Sequence, residues 1–104
     1  MRRGEIWWAT LPQPIGRRPV LLLSRNQVYK VRASATVAPV TRTMRGIQAE
    51  VRIGPDDGLP QESVVSLDNI HTIDKTAIET FIAELGPLKM TEVDQAIKYA
   101  LAIP

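Results

Sequence analysis

The chain has 104 residues, the length of one domain spanning residues 1–104, with a thin stability margin that pairing with a second copy would widen. It contains no cysteine, which excludes disulfides, thiolate metal sites and cysteine nucleophiles, and no apolar run near the roughly 20 residues of a membrane span. The net charge of +2 hides a division: residues 1–53 carry ten Lys/Arg against two acids, residues 54–104 carry three Lys against nine acids, and all nine arginines lie in the first half.

In chain order, Gly4–Leu11 (GEIWWATL) is a compact aromatic strand, and Pro12–Gly16 is loop chemistry. Pro19–Ser24 (PVLLLS) is an apolar run of strand length, expected to be buried on both faces. Ala35–Thr41 (ATVAPVT) is β-branched, and its Pro39 cannot donate to a ladder, which places it at an edge or a bulge. Ala49–Ile53 alternates, Pro55–Gly58 is a turn, and Ser63–Ser66 and Ile70–Ile73 are further short strands. Lys75–Leu85 is ambiguous: Ile78, Phe81, Ile82 and Leu85 fit a helical period, and a strand fits as well. Lys89–Leu101 repeats Met90, Val93, Ile97 and Leu101 at helical spacing, with Thr91 as a candidate cap. The expected class is mainly β with a C-terminal helix, a small barrel of about six short strands. The start, Met1-Arg2-Arg3-Gly4-Glu5, lacks the apolar core of a signal peptide, so the expected location is cytoplasmic.

Arginine suits bidentate phosphate contact and stacking on bases, so the arginine-rich first half points to nucleic acid. The rest narrows by elimination. His71 is the one histidine, so a two-histidine ribonuclease mechanism within one chain is excluded, and its IHTI segment reads as a packed or edge position. No His/Asp/Glu cluster has metal-ligand spacing; Asp56-Asp57 reads as a solvated turn. No glycine-rich phosphate loop is present. An enzyme built on this chain works with Arg, Lys, Ser, Thr, Tyr or isolated carboxylates. RNA suits that set, because its 2′-OH is an internal nucleophile and the protein has mainly to align it and stabilise charge. Arg18 precedes Pro19, which holds it in the extended region at the mouth of the apolar strand. Thr41 closes another apolar strand before the basic loop Arg42–Gln48. On these features alone a surface ion pair for Arg18 and β-propensity for Thr41 stay open beside a catalytic role. Trp7 and Trp8 point to opposite strand faces, one into the core, the other into a dimer interface or onto a base.

Four segments, in order, carry a resemblance: Arg3-Gly4-Glu5-Ile6-Trp7-Trp8, Gly16-Arg17-Arg18-Pro19-Val20-Leu21, Val37-Ala38-Pro39-Val40-Thr41, and Ser63-Val64-Val65 leading into Asn69-Ile70-His71-Thr72-Ile73-Asp74-Lys75. The chain resembles the MazF/PemK family of toxin endoribonucleases over roughly residues 3–75. The resemblance implies an SH3-like, CcdB-like barrel, a homodimer, and cleavage of single-stranded RNA (mRNA) at short sequences. Attack by the 2′-OH would leave a 2′,3′-cyclic phosphate or 3′-phosphate and a 5′-OH, with no metal and no cofactor. It implies Arg18 and Thr41 as the catalytic pair, with Arg18 clamping the scissile phosphate and Thr41 adding a hydrogen bond. Arg17, Ser24, Arg42, Arg45 and Asn69 are the implied RNA contacts. The implied partner is a cognate MazE-like antitoxin whose acidic tail docks in the RNA groove. The resemblance also favours a strand over about Glu79–Leu85.

There are departures. The loop Pro12–Arg17 is shorter than in many members and carries no acid, and His71 stands where the family often has Arg. Two other classes fit the same elements: a CcdB-like, non-enzymatic gyrase poison, and a small-barrel RNA-binding module without catalysis.

Overall fold

The computed structural model describes residues 1–104. Seven strands are joined by short connections: β1 (Glu5–Leu11), β2 (Gly16–Leu22), β3 (Ser34–Thr41), β4 (Glu50–Ile53), β5 (Ser63–Ser66), β6 (His71–Asp74) and β7 (Ile78–Glu84). A one-turn helix α1 (Val28–Val31) links β2 to β3, and α2 (Pro87–Ala100) ends the chain. The fold is the expected mainly β arrangement with a C-terminal helix. All pairings are antiparallel, in the order β4-β5-β3-β2-β1-β7, with β6 joined to β3.

β3 is the hub. Along one side it pairs β2 (Val20↔Pro39 to Leu22↔Val37). Along the other it pairs β6 through Ser34–Val37 and then β5 through Val40 and Thr41. Pro39 therefore sits in an inner strand, not at an edge. Alternation explains how the ladder tolerates it. The Thr36 carbonyl accepts from Leu23 on the β2 side, so residue 39 faces the opposite side, in the gap where β3 passes from β6 to β5. The missing N–H falls where no partner strand stands.

The sheet is buried on both faces, as the PVLLLS run requires. Leu21 joins Ile6, Ala38, Val40, Val65 and Val93 in one apolar cluster, while Val20 and Leu22 join Ala9, Val37 and Ile73 in the other. Val20, Leu21 and Leu22 are all fully inaccessible; each contributes about 2 kcal/mol by transfer from water. Tyr29 of α1, a segment with no periodic signal in the sequence, covers part of the second cluster.

Ile78–Glu84 is a strand, as the resemblance favours and against the helical period of its apolar residues. Its pairing with β1 slips twice: Ile6↔Ala83, Trp7↔Phe81, Trp8↔Thr80, Ala9↔Ile78. Ile82 and Glu79 are the extra residues of two bulges, and these turn a period of two into apolar spacings of three and four. Helix α2 begins at Pro87, two residues before the expected start, with Gly86 as N-cap and Pro87 at the first helical position. Thr91 does not cap; its hydroxyl donates back to the Pro87 carbonyl at 3.1 Å. The helix docks through Val93 and Ala96, and Arg3 holds Asp94 at 2.7 Å.

Candidate active site

A cleft of about 670 Å³ opens where β2 begins and β3 ends, and Trp8, Arg17, Arg18, Thr41, Arg42 and Gln61 are among the residues that line it. Its lining contains three arginines and no acidic residue. The β2–β3 ladder ends at Val20↔Pro39, and Arg18 and Thr41 lie two residues beyond that last pair on their strands, where both line the cleft. Each backbone is held by a neighbouring strand, Arg18 by Ala9 of β1 and Thr41 by Val64 of β5.

The Arg18 side chain is half-buried. Its Nη2 donates to the Ile15 carbonyl at 3.2 Å, while its Nε is buried with no acceptor in the protein. Thr41 Oγ1 accepts the backbone N–H of Thr43 at 3.2 Å, which leaves the hydroxyl hydrogen free to donate. Guanidinium and hydroxyl thus offer donors into one basic concavity, an arrangement suited to a phosphate. Arg42 reaches across the cleft mouth to the side-chain carbonyl of Gln61. Arg17 lies at the exposed rim, with Nε on Glu79 Oε1 at 2.8 Å and its guanidinium carbon 4.5 Å from the Trp8 ring centroid. Hydrogen bonds from Arg17 and then Thr10 hold the Glu79 carboxyl below its ordinary value.

Of the seven expected site residues, Arg17, Arg18, Thr41 and Arg42 meet in this cleft; Ser24, Arg45 and Asn69 do not line it. Ser24 lies beyond the far end of β2, where its hydroxyl accepts the Thr36 N–H at 2.8 Å. Asn69, in the turn after β5, donates to the Ser66 hydroxyl at 2.8 Å. Arg45 is exposed, its backbone N–H bound to Glu50 at 3.0 Å. His71 faces Val37 in the β3–β6 ladder, with Nε2 buried and unpartnered, and it does not line the cleft. Asp57 accepts the Gly54 N–H at 3.0 Å inside its turn, and no three His, Asp or Glu side chains come together. Trp7 is the packing tryptophan, edge-on to Phe81 with ring centroids 5.9 Å apart, and Trp8 is the one that faces the cleft. Gln61 and Glu79 carried no signal in the sequence, since only strand pairing brings them near the arginines.

Residues 2–101 match the family model described as PemK-like, MazF-like toxin of type II toxin-antitoxin system. The chain is 38% identical over 99 residues to a probable endoribonuclease MazF2 of Mycobacterium tuberculosis, covering 94% of this chain and 95% of that protein. A probable endoribonuclease MazF5 of the same species is 35% identical, with 95% and 91% covered. Among solved structures, the M. tuberculosis toxin MazF-mt6 superposes with a TM-score of 0.89 at 36% identity, covering 96% of this chain and 98% of that one. An endoribonuclease in complex with its cognate antitoxin, from a mycobacterial species, superposes with a TM-score of 0.88 at 29% identity, covering 100% and 97%. The chain belongs to the family of PemK-like, MazF-like toxins of type II toxin–antitoxin systems.

Proposed function

We propose that this protein is a toxin endoribonuclease that cuts single-stranded RNA at the Arg18–Thr41 pair. The observation that carries the reading is the meeting of Arg18 and Thr41 in one cleft whose lining holds three arginines and no acid. The 2′ oxygen attacks phosphorus, the bond to the 5′ oxygen breaks, and a 2′,3′-cyclic phosphate and a 5′-OH result. The 2′-OH proton leaves as the attack proceeds and one is delivered to the 5′ oxygen. Arg18 holds the non-bridging oxygens, and Thr41 donates a hydrogen bond to them. Guanidinium stays cationic in proteins, so Arg18 acts by charge and geometry. That positive charge meets the demand of the transition state without a metal ion. Arg42 contacts the RNA backbone at the cleft mouth.

The partners follow from the same surface. A cleft with three arginines and no carboxylate suits the acidic tail of a cognate antitoxin, which would exclude RNA by occupying it. The protein works as a homodimer. Tyr99, Leu101 and Ile103 are about half exposed at the end of α2 and supply apolar surface that a second copy buries.

The test is digestion of a long single-stranded RNA in excess EDTA, with mapping of the new 5′ ends. Wild type is expected to cut at short preferred sequences, and Arg18→Ala to lose roughly a hundredfold or more in rate while keeping its melting curve. Undiminished cleavage by Arg18→Ala sinks the catalytic assignment, and a strict divalent-ion requirement sinks the metal-free mechanism. Intact RNA with stalled gyrase favours a gyrase poison, and binding without any product favours a non-catalytic RNA module.

A further inference from the structure

Arg17 is held in a way that the other cleft arginines are not. Its Nε bonds Glu79 Oε1 at 2.8 Å and its guanidinium stacks 4.5 Å from the Trp8 ring centroid. The second oxygen of Glu79 accepts from Thr10 at 2.8 Å, so the carboxylate is itself clamped. Three strands build this arrangement: Thr10 faces Arg17 across β1–β2, and Trp8 faces Thr80, the residue after Glu79, across β1–β7. The Arg17 side chain nevertheless keeps 53% of its exposure, and its two Nη groups have no acceptor in the protein.

An arginine that served only to neutralise phosphate would need none of this. Pairing it with a carboxylate cancels much of its charge, and an exposed ion pair alone contributes too little to immobilise a side chain with so many rotamers. The hold instead keeps the guanidinium over an aromatic ring, at the rim of the cleft that Arg18 and Thr41 line. A flat, partly discharged, immobilised guanidinium is a surface for a nucleobase.

We infer that Trp8 and Arg17 form a base-stacking subsite beside the phosphate clamp, with Glu79 as the positioning residue that sets the plane of Arg17. A base flanking the cut lies on the guanidinium, and this contact sets part of the sequence preference. The inference rests on the RNA reading above, for the same cleft.

The experiment uses binding, so that it does not depend on cleavage. The full-length protein selects from a randomised single-stranded pool with 2′-fluoro in place of the 2′-hydroxyl, which it cannot cut. Wild type is expected to show a base preference at defined positions. Arg17→Lys, which keeps the charge and loses the plane, and Arg17→Ala should each lose about tenfold in affinity for preferred sequences. Both should lose the preference at one position and keep it elsewhere. Glu79→Gln should blur that same position with a smaller loss. Arg18→Ala should weaken all sequences alike. Melting curves of the Arg17 and Glu79 variants should stay close to wild type, because an exposed ion pair contributes little to stability.

Wild-type affinity and preference in Arg17→Lys would overturn the subsite, since charge alone would then suffice. A uniform loss across sequences in Arg17→Ala, or no preference in the wild type, would overturn it equally. A wild type that selects bases but leaves ordinary RNA uncut would sink the proposed cleavage and leave the subsite standing.

Discussion

A guanidinium N–H buried without an acceptor costs about 1–3 kcal/mol in lost hydration, and Arg18 bears that cost at Nε. The bond from Nη2 to the Ile15 carbonyl holds the guanidinium in place beside the cleft. Thr41 is the complement. Its oxygen accepts the Thr43 N–H, which leaves the hydroxyl hydrogen free to donate. Thr41→Val keeps the β-branched shape in the strand and removes the donor, so cleavage should fall roughly ten- to hundredfold, the worth of one hydrogen bond to a charged group. Thr41→Ser keeps the donor and should stay within a few-fold of wild type. Rates measured on one RNA substrate decide it; a fully active Thr41→Val would show that the hydroxyl has no part in the chemistry. These two residues were legible in the sequence because their neighbours mark them: Pro19 stiffens Arg18, and the basic loop follows Thr41. Ser24 and Asn69 look as polar in the sequence, yet their side chains answer backbone and hydroxyl groups of the fold far from the cleft. Glu79 and Gln61 had no such markers, since each matters through a partner 62 or 19 residues away.

At the scale of elements, the turn after β4 ties one end of the strand order to the other. Gly58 has φ +89°, and a Cβ there would lie 2.9 Å from the Ala83 Cβ on β7. The residues that follow, Leu59 to Gln61, line the cleft. Gly58→Ala therefore combines a left-handed backbone with a side-chain collision and should cost about 1–3 kcal/mol. In a domain this size that lowers Tm by roughly 5–15 °C. Gly46→Ala is the control: its φ is +67° but nothing lies within 4 Å, so only the backbone part remains. Adding Ala83→Gly to Gly58→Ala should recover part of the loss. Equal melting of the Gly58 and Gly46 variants would refute the collision. Elements were legible where a single apolar run is unbroken, as in PVLLLS, whose Val20, Leu21 and Leu22 are inaccessible because both faces are covered. They were not where tertiary pairing rewrites the period. Two bulges against β1 give β7 its helical look, and the gap between β6 and β5 lets Pro39 into an inner strand. Four-residue α1 is too short for any period to register.

For the whole molecule, the charge division of the sequence survives only in part: Arg2, Arg3 and Arg17 pair with Glu84, Asp94 and Glu79 of the second half. Arg17, Arg18 and Arg42 gather in the cleft, while acids of the second half lie elsewhere: Asp56 and Asp57 in the turn after β4, Glu92 and Asp94 on α2. The cleft lining itself holds no acid. Arg17 is the exception, partly discharged by Glu79. Two arginines, Arg18 and Arg42, are then left to displace counterions from phosphates. For single strands each neutralised phosphate contributes about −0.7 to the slope of log K against log salt, so the slope should be about −1.4. Raising salt fourfold should weaken binding of an uncleavable single-stranded oligonucleotide by roughly sevenfold. Arg42→Ala should make the slope shallower by about 0.7, whereas Arg17→Ala should lower affinity for preferred sequences and leave the slope alone. Affinity titrations of the two variants at several salt concentrations separate the roles. If Arg17→Ala flattens the slope as much as Arg42→Ala does, Arg17 is a phosphate contact and the division of labour between rim and cleft fails.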